Sequence, residues 1–150
     1  MAFALEKARQ AAEIGEVPVG ALVLSETGGI LALAANRMVC DSNPCAHAEL
    51  LAIQKASRKR GRLRLANCFL VCTLEPCLMC AAAAAHARIA GIVYGASDPM
   101  AGAIHSRADF ALLPFSNGNM WHMGGILGTE CAGLLNNFFA KLRHADSNLC

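Results

Sequence analysis

Two short segments of this 150-residue chain carry residue types and spacings suited to holding a metal ion and moving a proton. The first is His47-Ala48-Glu49, the second Pro76-Cys77-Leu78-Met79-Cys80. One imidazole and two thiolates form a donor set that suits zinc, a borderline-soft ion. Cys77 and Cys80 are three residues apart, so on a helix their sulfurs share one face and can share one ion. Pro76 stands just ahead of that helix, a natural place for proline, and a helix N-terminus favours the thiolate form. Three protein ligands leave a fourth position for water, as in catalytic rather than closed structural zinc sites. Glu49, two residues from His47, points away from the ligand direction yet stays within reach of that water. Zinc lowers the pKa of its water toward about 7, and a carboxylate beside it can take that proton and return it elsewhere, so Glu49 reads as a general acid/base. Pro-Cys-x-x-Cys alone also fits a structural zinc knuckle or a redox pair, and His-x-Glu alone is common by chance. The two together, each opening a helix, carry the reading.

These segments need a scaffold that brings residue 47 beside residues 77 and 80. Periodicity predicts a helix over 2–15, with Leu5, Ala8, Ala11 and Ala12 on one face, ended at Glu16-Val17-Pro18. Apolar runs over 19–24 and from Ile30 to Ala34, separated by Glu26-Thr27-Gly28-Gly29, read as a hairpin. A loop over 40–45 precedes a helix over about 46–57. A buried strand over 68–73, an alanine-rich helix over 77–88 and a strand over 91–95 follow. Residues 98–119 show little pattern, and 130–143 reads as a helix with Leu134, Leu135, Phe138, Phe139 and Leu142 on its apolar face. Strands alternating with helices imply an α/β fold, a sheet covered by helices on both faces. No linker is visible, so a single domain over 1–150 is expected. Cys68, Cys72 and Trp121 read as packing residues and His86 as surface or interface. Cys40, Cys131 and Cys150 have no metal spacing. Cys45 reads as a small inert side chain or a redox-sensitive thiol, and a pocket role for His105 and His122 stays open.

Hydrophobic residues make up 55% of the chain and charged ones 16%, which excludes intrinsic disorder. No apolar run approaches the roughly 20 residues that cross a bilayer, so no membrane partner is expected. The first residues show no leader pattern, and the expected compartment is the reducing cytoplasm. There the eight cysteines are buried thiols, metal ligands or catalytic groups rather than a disulfide framework. The net charge of +2 hides a cluster: Lys55, Arg58, Lys59, Arg60, Arg62 and Arg64 follow one another with no acid among them. Such a run is either a footprint for phosphates or a solvated helix end that suits the helix dipole.

The two metal segments together resemble the signature of the zinc-dependent cytidine/deoxycytidylate deaminase superfamily. Flanking blocks extend the resemblance over nearly the whole chain. Glu16-Val17-Pro18-Val19-Gly20-Ala21, Asn36-Arg37, Ala46 to Glu49, Thr73 to Cys80, His86-Ala87-Arg88-Ile89, Gly95-Ala96-Ser97-Asp98 and Gly125-Ile126-Leu127 through Phe138-Phe139 look like bacterial tRNA adenosine deaminases. The resemblance implies a three-layer α/β/α fold with a five-stranded mixed sheet, a homodimer, and conversion of the wobble adenosine of a tRNA anticodon loop to inosine. It implies zinc on His47, Cys77 and Cys80, and proton transfer by Glu49. Asn36 matches a position that contacts the target nucleoside and Asp98 one that contacts the neighbouring ribose. The backbone around Ala48 and Leu74-Glu75 is expected to border the base. The family carries basic residues around the aspartate, where this chain reads Ser97-Asp98-Pro99-Met100-Ala101. A deaminase of a free base or nucleoside on the same scaffold, or a catalytically idle zinc-bearing subunit, are the alternative readings.

Overall fold

Helix α1 (Ala2–Glu13) is short-chained on one side: Ala4, Leu5, Ala8 and Ala11 are buried, which lets it lie close on the hairpin of β1 (Gly20–Leu24) and β2 (Ile30–Ala35). The computed structural model describes residues 1–112 and 120–147; Cys150 and part of the patternless stretch, 113–119, lie outside them. The chain continues through α2 (Ala48–Arg60), β3 (Phe69–Leu74), α3 (Leu78–His86), β4 (Gly91–Ala96), a 3-10 turn at Phe110–Leu112, β5 (Trp121–Met123) and α4 (Gly128–Ser147). The strands form one sheet in the order β2-β1-β3-β4-β5. β1 runs antiparallel to β2 and β3, while β3, β4 and β5 are parallel, so the sheet is mixed and five-stranded.

Alternate strand residues serve opposite faces, as the pleat requires. Ala21, Val23, Leu70, Cys72, Ile92 and Tyr94 pack with Ala52 and Ile53 of α2 and Ala81 and Ala84 of α3. Leu22 and Val71 pack with Ala4 of α1 on the other face, which α4 also covers. Small side chains on α2 and α3 allow a close approach to the sheet.

Three details depart from the sequence reading. The helix expected from about residue 46 starts at Ala48 and runs three residues further, to Arg60, where Gly61 at φ 61° closes it. The helix expected from Cys77 starts at Leu78. Strand β5 carries no legible pattern, because all three of its residues are exposed. It is seated by a side-chain contact instead. A Cβ at Gly91 would run into the Trp121 indole, and that ring packs 5.6 Å from Phe69 across the glycine. Trp121 therefore does pack, though 47% of it stays exposed.

The basic run also has a structural use. Lys55 Nζ lies 3.4 Å from the Leu33 carbonyl and Lys59 Nζ 3.5 Å from that of Ile30, both on the edge strand β2. Arg60 pairs with Glu26 of the hairpin turn at 2.8 Å. Lysines over an edge strand discourage pairing with another chain. Among the described residues, no helix is long and apolar enough to cross a membrane.

Candidate metal centre and substrate pocket

β3 and β4 end side by side, and the loops that leave their carboxyl ends meet the N-terminus of α2. In open α/β sheets this is where ligands bind. His47 is the N-cap of α2, with φ −66° and ψ 144°, and Cys77 the N-cap of α3, with φ −71° and ψ 171°. Both are extended residues just outside their helices rather than first-turn residues, because each must turn its side chain across the end of the helix. Cys80 sits one turn into α3 and is fully buried. His47 Nδ1 lies 3.6 Å from Cys80 Sγ and 3.8 Å from Cys77 Sγ. The three donor atoms all fall within 4.8 Å of one another, and they are the metal-competent group of this kind among the described residues. A tetrahedral zinc ion places nitrogen and sulfur ligands about 3.6 Å apart, so the triangle fits the ion.

The electrostatics suit a cation. Cys77, hydrogen-bonded to the Cys80 thiol and to His47, is drawn down to about 4. The same bond, with burial, pushes Cys80 up, and a coordinated cation removes that second proton outright. The Cys77 sulfur raises His47. Glu49 is 4% exposed, and its Oε2 is buried with no hydrogen-bond partner among the described residues. Burial pushes its carboxyl up to about 7, a range in which it both accepts and donates a proton.

A cavity of about 150 Å³ opens on this group, lined by His47, Cys77, Glu49, Asn36, Leu74, Glu75 and Asp98 together with Val17, Val19, Met38 and Ala101. Ala48 is not among the lining residues: it is fully buried and packs in the core. Leu74 ends β3 at the wall. The Glu75 carboxylate faces the loop after β4 rather than the donor triangle, accepting the Asp98 N–H at 3.0 Å. His105 and His122 do not line this cavity, and Cys45 is exposed.

Sequence reasoning did not single out the side chain of Glu16, which fixes Asn36. Glu16 is fully buried. Its Oε2 accepts the Asn36 amide at 3.0 Å, and its Oε1 accepts the Cys40 N–H at 2.7 Å. Burial raises the Glu16 carboxyl, but the N–H groups of Cys40 and Val39, with the Arg37 charge nearby, outweigh it and leave it below the usual range. Glu16 thus anchors the Asn36 amide through Nδ2, and Asn36 lines the cavity. The available signal was an acid inside an otherwise apolar turn, Glu16-Val17-Pro18-Val19.

A second cavity, of about 490 Å³, adjoins the first and shares Val17, Leu74 and Asp98 with it. Its outer wall is Met100 from the loop after β4 and Ala132, Leu135 and Phe139 from α4.

Comparison with known proteins agrees with this geometry. Residues 1–96 match the cytidine and deoxycytidylate deaminase zinc-binding region. The chain is 41% identical over 147 residues to a tRNA-specific adenosine deaminase of Haemophilus influenzae, covering 95% of this chain and 83% of that one. A solved structure from work on A-to-I editing by tRNA:A34 deaminases superposes with a TM-score of 0.87 at 39% identity, covering 90% of this chain and 97% of that one. A guanine deaminase from Nitrosomonas europaea superposes with a TM-score of 0.77 at 25% identity, covering 93% and 82%.

Proposed function

Since the chain belongs to the cytidine and deoxycytidylate deaminase family, we propose that it hydrolyses the wobble adenosine of a tRNA anticodon to inosine, releasing ammonia. His47, Cys77 and Cys80 would hold zinc. When bound, the ion supplies a Lewis acid that makes water nucleophilic near neutral pH. Glu49 is the proton carrier. Its unpaired Oε2 takes a proton from the attacking water and delivers one to the ring nitrogen beside the carbon that bears the amine. The water oxygen bonds to that carbon, its second proton passes by way of Glu49 to the amine, and the C–N bond breaks to release ammonia. Asn36, held by Glu16, orients the nucleoside, while Leu74 and Val17 exclude solvent from the ring. An adenine within a base stack cannot enter a cavity of about 150 Å³, so the target must be splayed out of a loop.

The observation that carries the substrate reading is the open second cavity. A free base needs only the inner cavity, whereas a nucleotide inside a chain needs room at its mouth for what is attached to it. The space bounded by Met100, Leu135 and Phe139 provides that room. One observation favours the alternative, a free base or nucleoside as substrate: Ser97, Pro99, Met100 and Ala101 put no cation at the mouth. Ammonia release from an anticodon stem-loop, from adenosine, and from free guanine, adenine and cytosine decides between them. The stem-loop should be the substrate, and turnover of a free base alone would overturn the reading.

The reading extends to a cytoplasmic homodimer. In this reading a second copy of the chain would cover the groove between α2 and α3, lined by Ile53, Leu63, Ala83 and His86, where Leu63 is 88% exposed.

A further inference from the structure

Glu75 is 1% exposed, yet no step above uses its carboxylate. Both of its oxygens are spent on one later stretch of chain. Oε1 accepts the backbone N–H groups of Ile104 at 3.2 Å, His105 at 2.8 Å and Ser106 at 2.9 Å. Oε2 accepts the backbone N–H of Asp98 at 3.0 Å and the Ser106 hydroxyl. A buried carboxylate is tolerated when donors saturate it, and here the donors come from residues 98–106. The fit depends on Gly102, where a Cβ would lie 2.5 Å from the Glu75 carboxylate. The Ala103 N–H bonds the Pro76 carbonyl at 2.9 Å, and the Gly102 N–H bonds the Asp98 carbonyl at 2.9 Å. The segment is thus strapped across the corner that carries Cys77. It brings Asp98 and Ala101 to the inner cavity and Met100 to the outer one.

We propose that Glu75 is a positioning residue for substrate: by holding the 98–106 strap it fixes Asp98 at the mouth, where the nucleotide carrying the target base must pass. This rests on the reading of the cavity as a nucleoside pocket. Glu75 touches no reacting atom, so its effect belongs to binding rather than to chemistry.

The two oxygens provide the test. In Glu75→Gln the amide oxygen can keep the three N–H groups of 104–106, while the amide nitrogen meets the Asp98 N–H, donor against donor. Ser106→Ala removes one bond and leaves Asp98 held. With zinc-loaded protein and an anticodon stem-loop, Glu75→Gln should raise KM about tenfold and change kcat less than about twofold. Ser106→Ala should stay within about twofold in KM. Added to Asp98→Ala, Glu75→Gln should cost little more, because the two act through one contact. A fall in kcat with KM unchanged, or full additivity with Asp98→Ala, would overturn the proposal. If Glu75→Gln does not fold, hydrogen exchange of the unaltered protein decides. A peptide spanning 98–106 should be protected as β3 is, and exchange as fast as in the 25–29 turn would overturn it. If the parent turns over only free nucleosides, the substrate reading fails instead. The coupling is then read on the nucleoside KM, where its absence overturns the proposal.

Discussion

Replacing Glu49 by alanine separates two roles that meet in one cavity. Glu49 is not a member of the donor triangle, so the variant should keep about one zinc per chain while turnover falls roughly 10²- to 10⁴-fold, the usual worth of a general acid/base. Metal analysis beside single-turnover kinetics checks this. Activity within a few-fold of the parent would assign the proton to another group. Cys80→Ala should do the reverse, leaving Glu49 in place and losing the metal, since two donors do not make a tight site. A fully loaded variant would refute the ligand set. These residues were legible in the sequence because imidazole, thiolate and carboxylate announce their chemistry by type, and spacing restricts which can meet. Glu16 and Glu75 were not. Their work is done by geometry, each carboxylate satisfied by N–H groups more than twenty residues away in the chain, and no local pattern encodes such a pairing.

At the scale of elements, the loop after β2 depends on Glu16, which ties Asn36 to Cys40. An unfolded glutamate titrates near 4.3, and the folded Glu16 lies below its ordinary value. Its stabilisation is therefore complete above the unfolded pKa and is lost as pH falls through the folded one. The stability gap between the parent and Glu16→Gln should be widest near neutral pH and should close in acid, below about pH 4. Denaturation midpoints across that range measure it, and a gap that ignores pH would contradict the assignment. The helices and strands β1 to β4 are readable from periodicity and turn residues. The sequence starts α2 and α3 too early, because His47 and Cys77 look like first-turn residues until their extended backbones are seen. β5 was missed because what seats it is the gap at Gly91 that admits Trp121, a cross-strand contact invisible to a local window.

For the whole molecule, holding an RNA needs cations elsewhere than around Asp98, where Ser97, Pro99, Met100 and Ala101 carry none. Helix α2 joins the metal site at His47 to the basic run at Arg60, a span of about 20 Å at 1.5 Å per residue. Lys55, Lys59 and Arg60 are engaged at the β2 edge and hairpin turn and Arg58 lines the groove between α2 and α3, which leaves Arg62 and Arg64, exposed beyond Gly61, as the cations of the run positioned to meet phosphates. Replacing both by Gln should weaken stem-loop binding and flatten its dependence on salt, by about one unit of slope for each arginine that meets a phosphate. An unchanged affinity and slope would make the run a solvated surface with a structural duty. The central claim is tested most directly by locating the product. An anticodon stem-loop with several adenosines, incubated with the zinc-loaded protein and digested for mass spectrometry, should contain inosine at the wobble position alone. Adenosine left intact there, while free guanine or a free nucleoside is deaminated by the same preparation, would contradict it.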